Sequence, residues 1–315
     1  MQISRAIALA TWAALLVIPT MAQQASDVVA PEAPSAIDLK QPVQATTRMV
    51  VAANPLAAQA GLDVLKAGGN AADALVTVQT LLGLVEPQSS GLGGGAFLTW
   101  YDAATGTVTT FDGRETAPAA ATPDLFLGED KQPLGFFDAV IGGRSVGVPG
   151  VPRLLATVHE KYGKRPWADL LQPAIELAEK GFAVSPRLNV MITEDVGRLD
   201  TQSAARAYFF DEAGAPLAVG AVLKNPDYAT TLRALAEGGA KAFYTGPIAE
   251  QIVTAVTSHP TNPGRLSMQD LADYAVKERP AVCAPYRGLS VCGMGPPSSG
   301  ALTIGQILGL VQPFD

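Results

Sequence analysis

The apolar positions change their spacing along the chain, and each change marks an element. Met49 to Ala53 is a short apolar run that reads as a buried strand, and Asn54-Pro55 follows with an N-cap and a proline at the first helical position. The helix so begun stops at Gly68-Gly69, where glycine accepts a left-handed cap. Asn70 starts a second helix, in which Ala74, Leu75, Val78, Leu81, Leu82 and Val85 recur at helical spacing and predict a core face. The helical period then ends in a glycine cluster at Gly91, Gly93, Gly94 and Gly95, and alternation takes over. Phe97 to Asp102, a turn at Ala103 to Gly106, and Thr107 to Asp112 predict a β-hairpin. From Val151 the pattern is mainly helical. Val151, Leu154, Leu155, Val158 and Tyr162 mark one helix, and Trp167, Leu170, Leu171, Ala174, Ile175 and Ala178 mark another that stops at Gly181. Further helices are predicted at Asp227 to Glu237, at Pro247 to Val256, and from Ser267, where Ser-Met-Gln-Asp has the form of a capping box. Near the end, Gly295 to Gly300 makes a tight loop and Ala301 to Val311 an apolar helix. The mixture predicts an α/β fold without internal repeats.

Composition narrows the class. With 315 residues, 48% apolar and 16% charged, the chain can bury a sizeable core, as one large domain or as a domain with appended lobes. A formal charge of −7 and no Lys/Arg cluster exclude the electrostatic footprint of a nucleic-acid binder. Arg5, the apolar run Ala6 to Ile18 and the small residues up to Ala22 fit a secretory signal over 1–22, too short to span a bilayer. Its removal takes away Arg5 and leaves a charge of −8, one below the −7 of the whole chain, on an exported protein without a membrane span, periplasmic or secreted. An extended leader over 23–48, rich in Ala, Pro and Gln, then precedes the domain at 49–315.

Export bears on the two cysteines. A two-residue turn at Arg287-Gly288 would place Cys283 and Cys292 opposite each other at a non-hydrogen-bonded hairpin position, whose close spacing suits a disulfide in an oxidising compartment. Two buried free thiols are the other reading of the same residues. CxxC spacing and His/Cys clustering are both missing, so no metal site is expected, and no motif calls for a cofactor.

Three motifs invite chemistry. Gly91 to Ala96 fits G-x-G-x-x-G/A, but that fingerprint needs a strand before it and a helix after it, and here a helix precedes and a strand follows. The glycines are better read as permitting close backbone approach. Gly143-Arg144-Ser145-Val146-Gly147 fits the nucleophile elbow G-x-S-x-G, with Asp195 or Asp200 and then His259 in the right order. An elbow needs its helix to begin directly after the serine, and Val148-Pro149-Gly150 delays it. His259 falls in a polar loop and His159 beside the apolar stripe of its helix, at the surface, while Ser298 and Ser299 read as turn residues. Arg114 is the sharper candidate: it follows Asp112-Gly113 at a strand end, where its planar fork suits bidentate capture of a carboxylate. A surface ion pair with Glu115 or a nearby aspartate is the competing reading.

These residues, taken with their neighbours, resemble the γ-glutamyltransferase family, also called γ-glutamyltranspeptidase or glutathione hydrolase. The similarity runs from about Met49 to the last residue, through LGLVEPQSSGLGGGAF, FDGRETAPAAATPDLF, SVGVPGVPRLL, KYGKRPWADLLQPAIELAEKGF and YRGLSVCGMGPPSSGALTIGQIL, and DGRETAP is the most specific segment. The resemblance implies an N-terminal-nucleophile hydrolase with an αββα sandwich, made as a precursor that cuts itself into a large and a small subunit. A threonine at the start of the small subunit attacks the γ-amide of glutathione or another γ-glutamyl compound, and water or an amino acid or peptide acceptor resolves the acyl-enzyme. The arginine of DGRETAP, which is Arg114, then binds the substrate α-carboxylate. The threonine and the missing small subunit have no counterpart after Gly300, so this chain corresponds to an incomplete large subunit, expected to be inactive alone. A cephalosporin acylase-like relative and a non-catalytic truncated exported protein are the alternatives.

Overall fold

Two asparagines set the first two helices. In the computed structural model, which describes residues 42–314, Asn54 Oδ1 accepts the Leu56 N–H at 3.0 Å and Pro55 opens helix α1 (Pro55–Lys66). Asn70 and Asp73 form a reciprocal capping box at the start of α2 (Ala71–Val85). Gly61 lets the two helices close, because a Cβ there would lie 2.5 Å from Val78 Cγ2. The signal reading at 1–22 and most of the leader at 23–48 lie outside the described residues.

After α2 the chain passes through the glycine cluster into β1 (Ala96–Asp102) and returns as β2 (Thr107–Gly113), antiparallel, with Ala96 opposite Gly113 and Asp102 opposite Thr107. The helix–loop–strand order is the one that disqualified the dinucleotide fingerprint. Helices α3 (Val151–Tyr162) and α4 (Trp167–Lys180) follow, then α5 (Pro186–Glu194), α6 (Pro226–Gly238) and α7 (Pro247–Thr257). A short turn of helix at Met268–Ala272 carries the Ser267/Asp270 capping box that its sequence predicts. Strand β3 (Lys277–Pro280) then joins β2, giving a three-stranded antiparallel sheet in the order β1-β2-β3. The hairpin β4 (Val282–Tyr286) and β5 (Leu289–Gly293) pairs Cys283 with Cys292, whose sulfurs are bonded at 2.11 Å, and helix α8 (Gly300–Val311) ends the described chain.

The main core is helical, built from α2, α3, α4 and α6 around Leu81, Leu84, Leu155, Leu171, Ile175 and Leu232. Thr77 ties α2 to α4 by donating to the Leu170 carbonyl at 2.8 Å. A smaller cluster of Ala72, Phe111, Leu154 and Val158 seats β2 on α2 and α3, and thereby fixes the end of β2 relative to the first turn of α3.

Two expectations need correction. Met49 to Ala53 is not a buried strand: it pairs with no strand among the described residues, Met49 and Val51 face solvent, and Val50, beside Gly61, and Ala52 are only partly buried. His159 is not a surface residue. Its Nε2 donates to the Arg165 carbonyl at 2.9 Å, lies 3.6 Å from the Asp73 carboxylate, and its ring packs on Trp167. The start of α2 is packed there, and the buried Asp73 carboxylate also accepts the N–H groups of Lys164 and Arg165.

Candidate functional site

Strand β2 ends in a crowded junction that only glycine allows. A Cβ on Gly113 would meet Leu154 Cβ at 2.9 Å, and one on Gly150 would lie 1.9 Å from the Gly113 carbonyl. The glycine cluster contributes as well: the Gly94 carbonyl accepts the N–H groups of Gly150 and Val151 at 2.9 and 3.1 Å, and Gly95 leaves no room for a side chain beside Glu115. These glycines bring three backbone segments together at the point where β2 releases Arg114.

Arg114 stands on the loop just past β2, with its side chain 58% exposed. Its Nε lies 3.2 Å from Glu115 Oε2, and no side-chain hydrogen bond of Arg114 occurs among the described residues. Arg114 borders a cavity of about 420 Å³ whose wall includes Asp112, Glu115, Tyr274, Lys277, Arg279 and the Pro296-Pro297 step. Of the two sequence readings of Arg114, the ion pair with Glu115 is present, on a side chain that also borders this cavity. Glu115 also lies in the wall of a second cavity, of about 560 Å³, formed by the glycine cluster with Gln79, Ser89 and Ser90.

The main chain around Arg114 is held from both sides. Its N–H donates to Asp112 Oδ1 at 3.1 Å, and its carbonyl accepts from Tyr274 Oη at 2.8 Å. Asp112 is 7% exposed, and its Oδ2 accepts from Arg279 Nε at 2.9 Å, with Nη2 in ion-pair contact at 2.9 Å. Burial, then the Asp112 and Glu115 carboxylates, push the Tyr274 hydroxyl up to about 12, so it stays a donor through the neutral range. Further along the loop, the Ala119 N–H donates to Asp270 Oδ1 at 2.8 Å. Burial works against that carboxylate, but the hydrogen bonds from Ser267 and Ala119 outweigh it and hold Asp270 below its usual value.

The serine-hydrolase constellation does not assemble. Ser145 Oγ donates to the Val140 carbonyl at 2.8 Å, His259 Nδ1 accepts the Asn262 N–H at 3.1 Å, and α3 begins only at Val151. Asp195 is paired with Arg198 and Asp200 with Arg206. Ser298 Oγ accepts the Gly300 N–H at 3.1 Å, as a turn residue does. No cluster of three or more His, Cys, Asp or Glu suited to a metal occurs among the described residues.

Sequence reasoning missed Tyr274 and Arg279. Lys-Glu-Arg-Pro over β3 has no apolar alternation to announce a strand, and both residues lie far along the chain from Arg114. Only the burial of Asp112 in the fold shows that its carboxylate needs a cationic partner.

The model of the family described as Gamma-glutamyltranspeptidase matches residues 57–315, which includes every element of this site. The chain belongs to the γ-glutamyltranspeptidase family. The glutathione hydrolase proenzyme of Bacillus subtilis is 38% identical over 267 residues, which cover 85% of this chain and 45% of that protein. An acylase proenzyme of a Pseudomonas species is 34% identical over 282 residues, covering 88% and 50%. The chain thus spans about half the length of the curated relatives it matches. The crystal structure of Helicobacter pylori γ-glutamyltranspeptidase superposes with a TM-score of 0.82 at 34% identity, covering 87% of this chain and 77% of that one. The α/β fold expected from the resemblance is the one this γ-glutamyltranspeptidase-family chain has.

Proposed function

We propose that this chain supplies the large-subunit part of an exported γ-glutamyl hydrolase and transferase, and that Arg114 receives the α-carboxylate of the γ-glutamyl substrate. The observation that carries this reading is the place of Arg114 at the border of a cavity beside Glu115, within a segment matched by the family model. A planar guanidinium presents parallel donors to a planar carboxylate, and the other guanidinium in that wall, Arg279, is engaged by Asp112. Glu115, in ion-pair contact with Nε, adds an acceptor beside the carboxylate, where a substrate α-ammonium group would lie.

The nucleophilic threonine and the small subunit lie outside this chain on this reading. Helix α8 supports it: none of its residues is buried, and Leu302, Ile304, Ile307 and Leu310 are exposed, an apolar surface of the kind that covers itself with a partner. Water or an amino acid or peptide acceptor would resolve the acyl-enzyme, and the signal over 1–22 directs the protein out of the cytoplasm. The test is a kinetic one on this chain combined with its small subunit. Arg114→Lys should raise KM for γ-glutamyl-p-nitroanilide by roughly a hundredfold or more with a smaller change in kcat, as loss of a charge-assisted bidentate contact of about 3 kcal/mol requires. An unchanged KM would sink the assignment.

The similarity to the Pseudomonas acylase proenzyme favours a second reading, in which the acyl group is a glutaryl rather than a γ-glutamyl chain. A glutaryl amide keeps the distal carboxylate and lacks only the α-ammonium group, so the two substrates assayed side by side separate the readings.

A further inference from the structure

We infer that Tyr274 and the Asp112–Arg279 pair are positioning residues for Arg114, fixing the main chain on both sides of its Cα so that the guanidinium meets the substrate carboxylate in one orientation. The inference rests on the reading of Arg114 as the carboxylate contact.

An arginine on an exposed loop carries large rotamer freedom, and a loop that also moves adds the freedom of its backbone. Here the backbone share is removed. The N–H of Arg114 is held by Asp112 Oδ1 and the carbonyl by Tyr274 Oη, at 3.1 and 2.8 Å, so the two peptide planes flanking a single Cα are both tethered. Each tether is itself fixed. Asp112 lies opposite Lys277 in the β2–β3 register and Arg279 lies opposite Thr110, so Arg279 reaches Asp112 diagonally on the same face of the sheet, within range of a long side chain. That reach delivers one charge-assisted hydrogen bond from Nε, with Nη2 in ion-pair contact, to one carboxylate oxygen and leaves the other for the Arg114 N–H.

Tyr274 is seated with equal constraint. Its ring stacks on Tyr244 at 5.8 Å with planes 3° apart, and Tyr244 donates to the Pro149 carbonyl at 2.7 Å and accepts the Arg153 N–H at 3.2 Å. The missing side chain of Gly150 makes room for the Tyr274 hydroxyl, since a Cβ there would approach it to 2.4 Å. Tyr274 and Arg279 also border the cavity, but the contacts they make are with the Arg114 carbonyl and Asp112, and through these they act on the loop that bears Arg114. A general stabilising role would loosen the whole domain when lost, whereas a positioning role loosens Arg114 first.

Amide hydrogen exchange on the 315-residue chain, read by NMR on arginine-labelled protein, separates the two. In Tyr274→Phe and Arg279→Ala the Arg114 amide should exchange about tenfold faster or more, the scale of one lost hydrogen bond, with Arg279→Lys recovering part of the protection. The Arg144 amide, bonded to the Asn262 carbonyl at 3.1 Å away from this loop, is the internal control and should not change. Asp112→Asn, which keeps the size of the side chain, serves should Arg279→Ala fail to fold. Unchanged exchange at Arg114, or equal acceleration at Arg114 and Arg144, overturns the inference. A titration with L-glutamate, followed at the Arg114 Nε–H signal, completes the test. Binding about fivefold weaker in Tyr274→Phe than in the unmodified chain supports positioning, and equal binding overturns it. No response in the unmodified chain overturns the carboxylate reading instead, while the exchange result still decides the clamp.

Discussion

At the scale of single residues, the site is shaped as much by absent side chains as by present ones. Gly150 has helical backbone angles that alanine adopts freely, yet its Cβ would fall 1.9 Å from the Gly113 carbonyl. Gly150→Ala must therefore push the end of β2 away from α3, and it should cost about 3 kcal/mol or more, measured by urea unfolding. Gly106 is the opposite case. Its φ of +68° favours glycine but its surroundings are empty, so Gly106→Ala should cost only about 1 kcal/mol. A smaller loss at Gly150 than at Gly106 would show that the junction is looser than its geometry. Arg114 could be singled out from the sequence because the Asp-Gly step that precedes it is local. The residues that hold it could not, because their contacts exist only after folding.

At the scale of elements, legibility followed hydrophobic period and end signals. Helices α1, α2, α3, α4, α6 and α7 carried caps or apolar stripes and were recognisable, and the hairpin of β1 and β2 was announced by alternation. Helix α5 was not: it buries only Leu188 and Ile192 in nine residues, too sparse a stripe to read. Met49 to Ala53 failed in the other direction, since apolar residues without a neighbouring strand give no ladder. The β4–β5 hairpin makes a prediction at this scale. Its cysteines are nine residues apart, so replacing both by serine releases a loop whose closure is worth about 2 to 3 kcal/mol in the unfolded chain. The denaturation midpoint should fall accordingly, and an equal midpoint for the oxidised and doubly substituted chains would show that the bridge contributes nothing.

Across the whole molecule, buried tyrosines link the helical core to the site and make stability sensitive to alkali. Tyr228 donates to the Thr80 carbonyl at 2.8 Å and Tyr244 to Pro149, and burial pushes both hydroxyls well above the ordinary phenol value. The folded state keeps these protons while the unfolded chain gives them up above about pH 10. Stability from this source is thus complete below that pH and falls as pH rises, by about 1.4 kcal/mol per unit for each group. Urea unfolding at about pH 9 and about pH 11 should show the fall, and Tyr228→Phe should lessen it. The same core explains why the α/β class could be read early while the site could not: the core is made of local periodicity, the site of distant encounters. Tyr274 and Arg279 lie 160 and 167 residues from the groups they bind. During translation at about 5–20 residues per second, Arg114 leaves the ribosome roughly ten to thirty seconds before either of them. The nascent chain therefore carries Arg114 on an untethered loop, and that loop is held only after the sequence that closes the β-sheet has been synthesised.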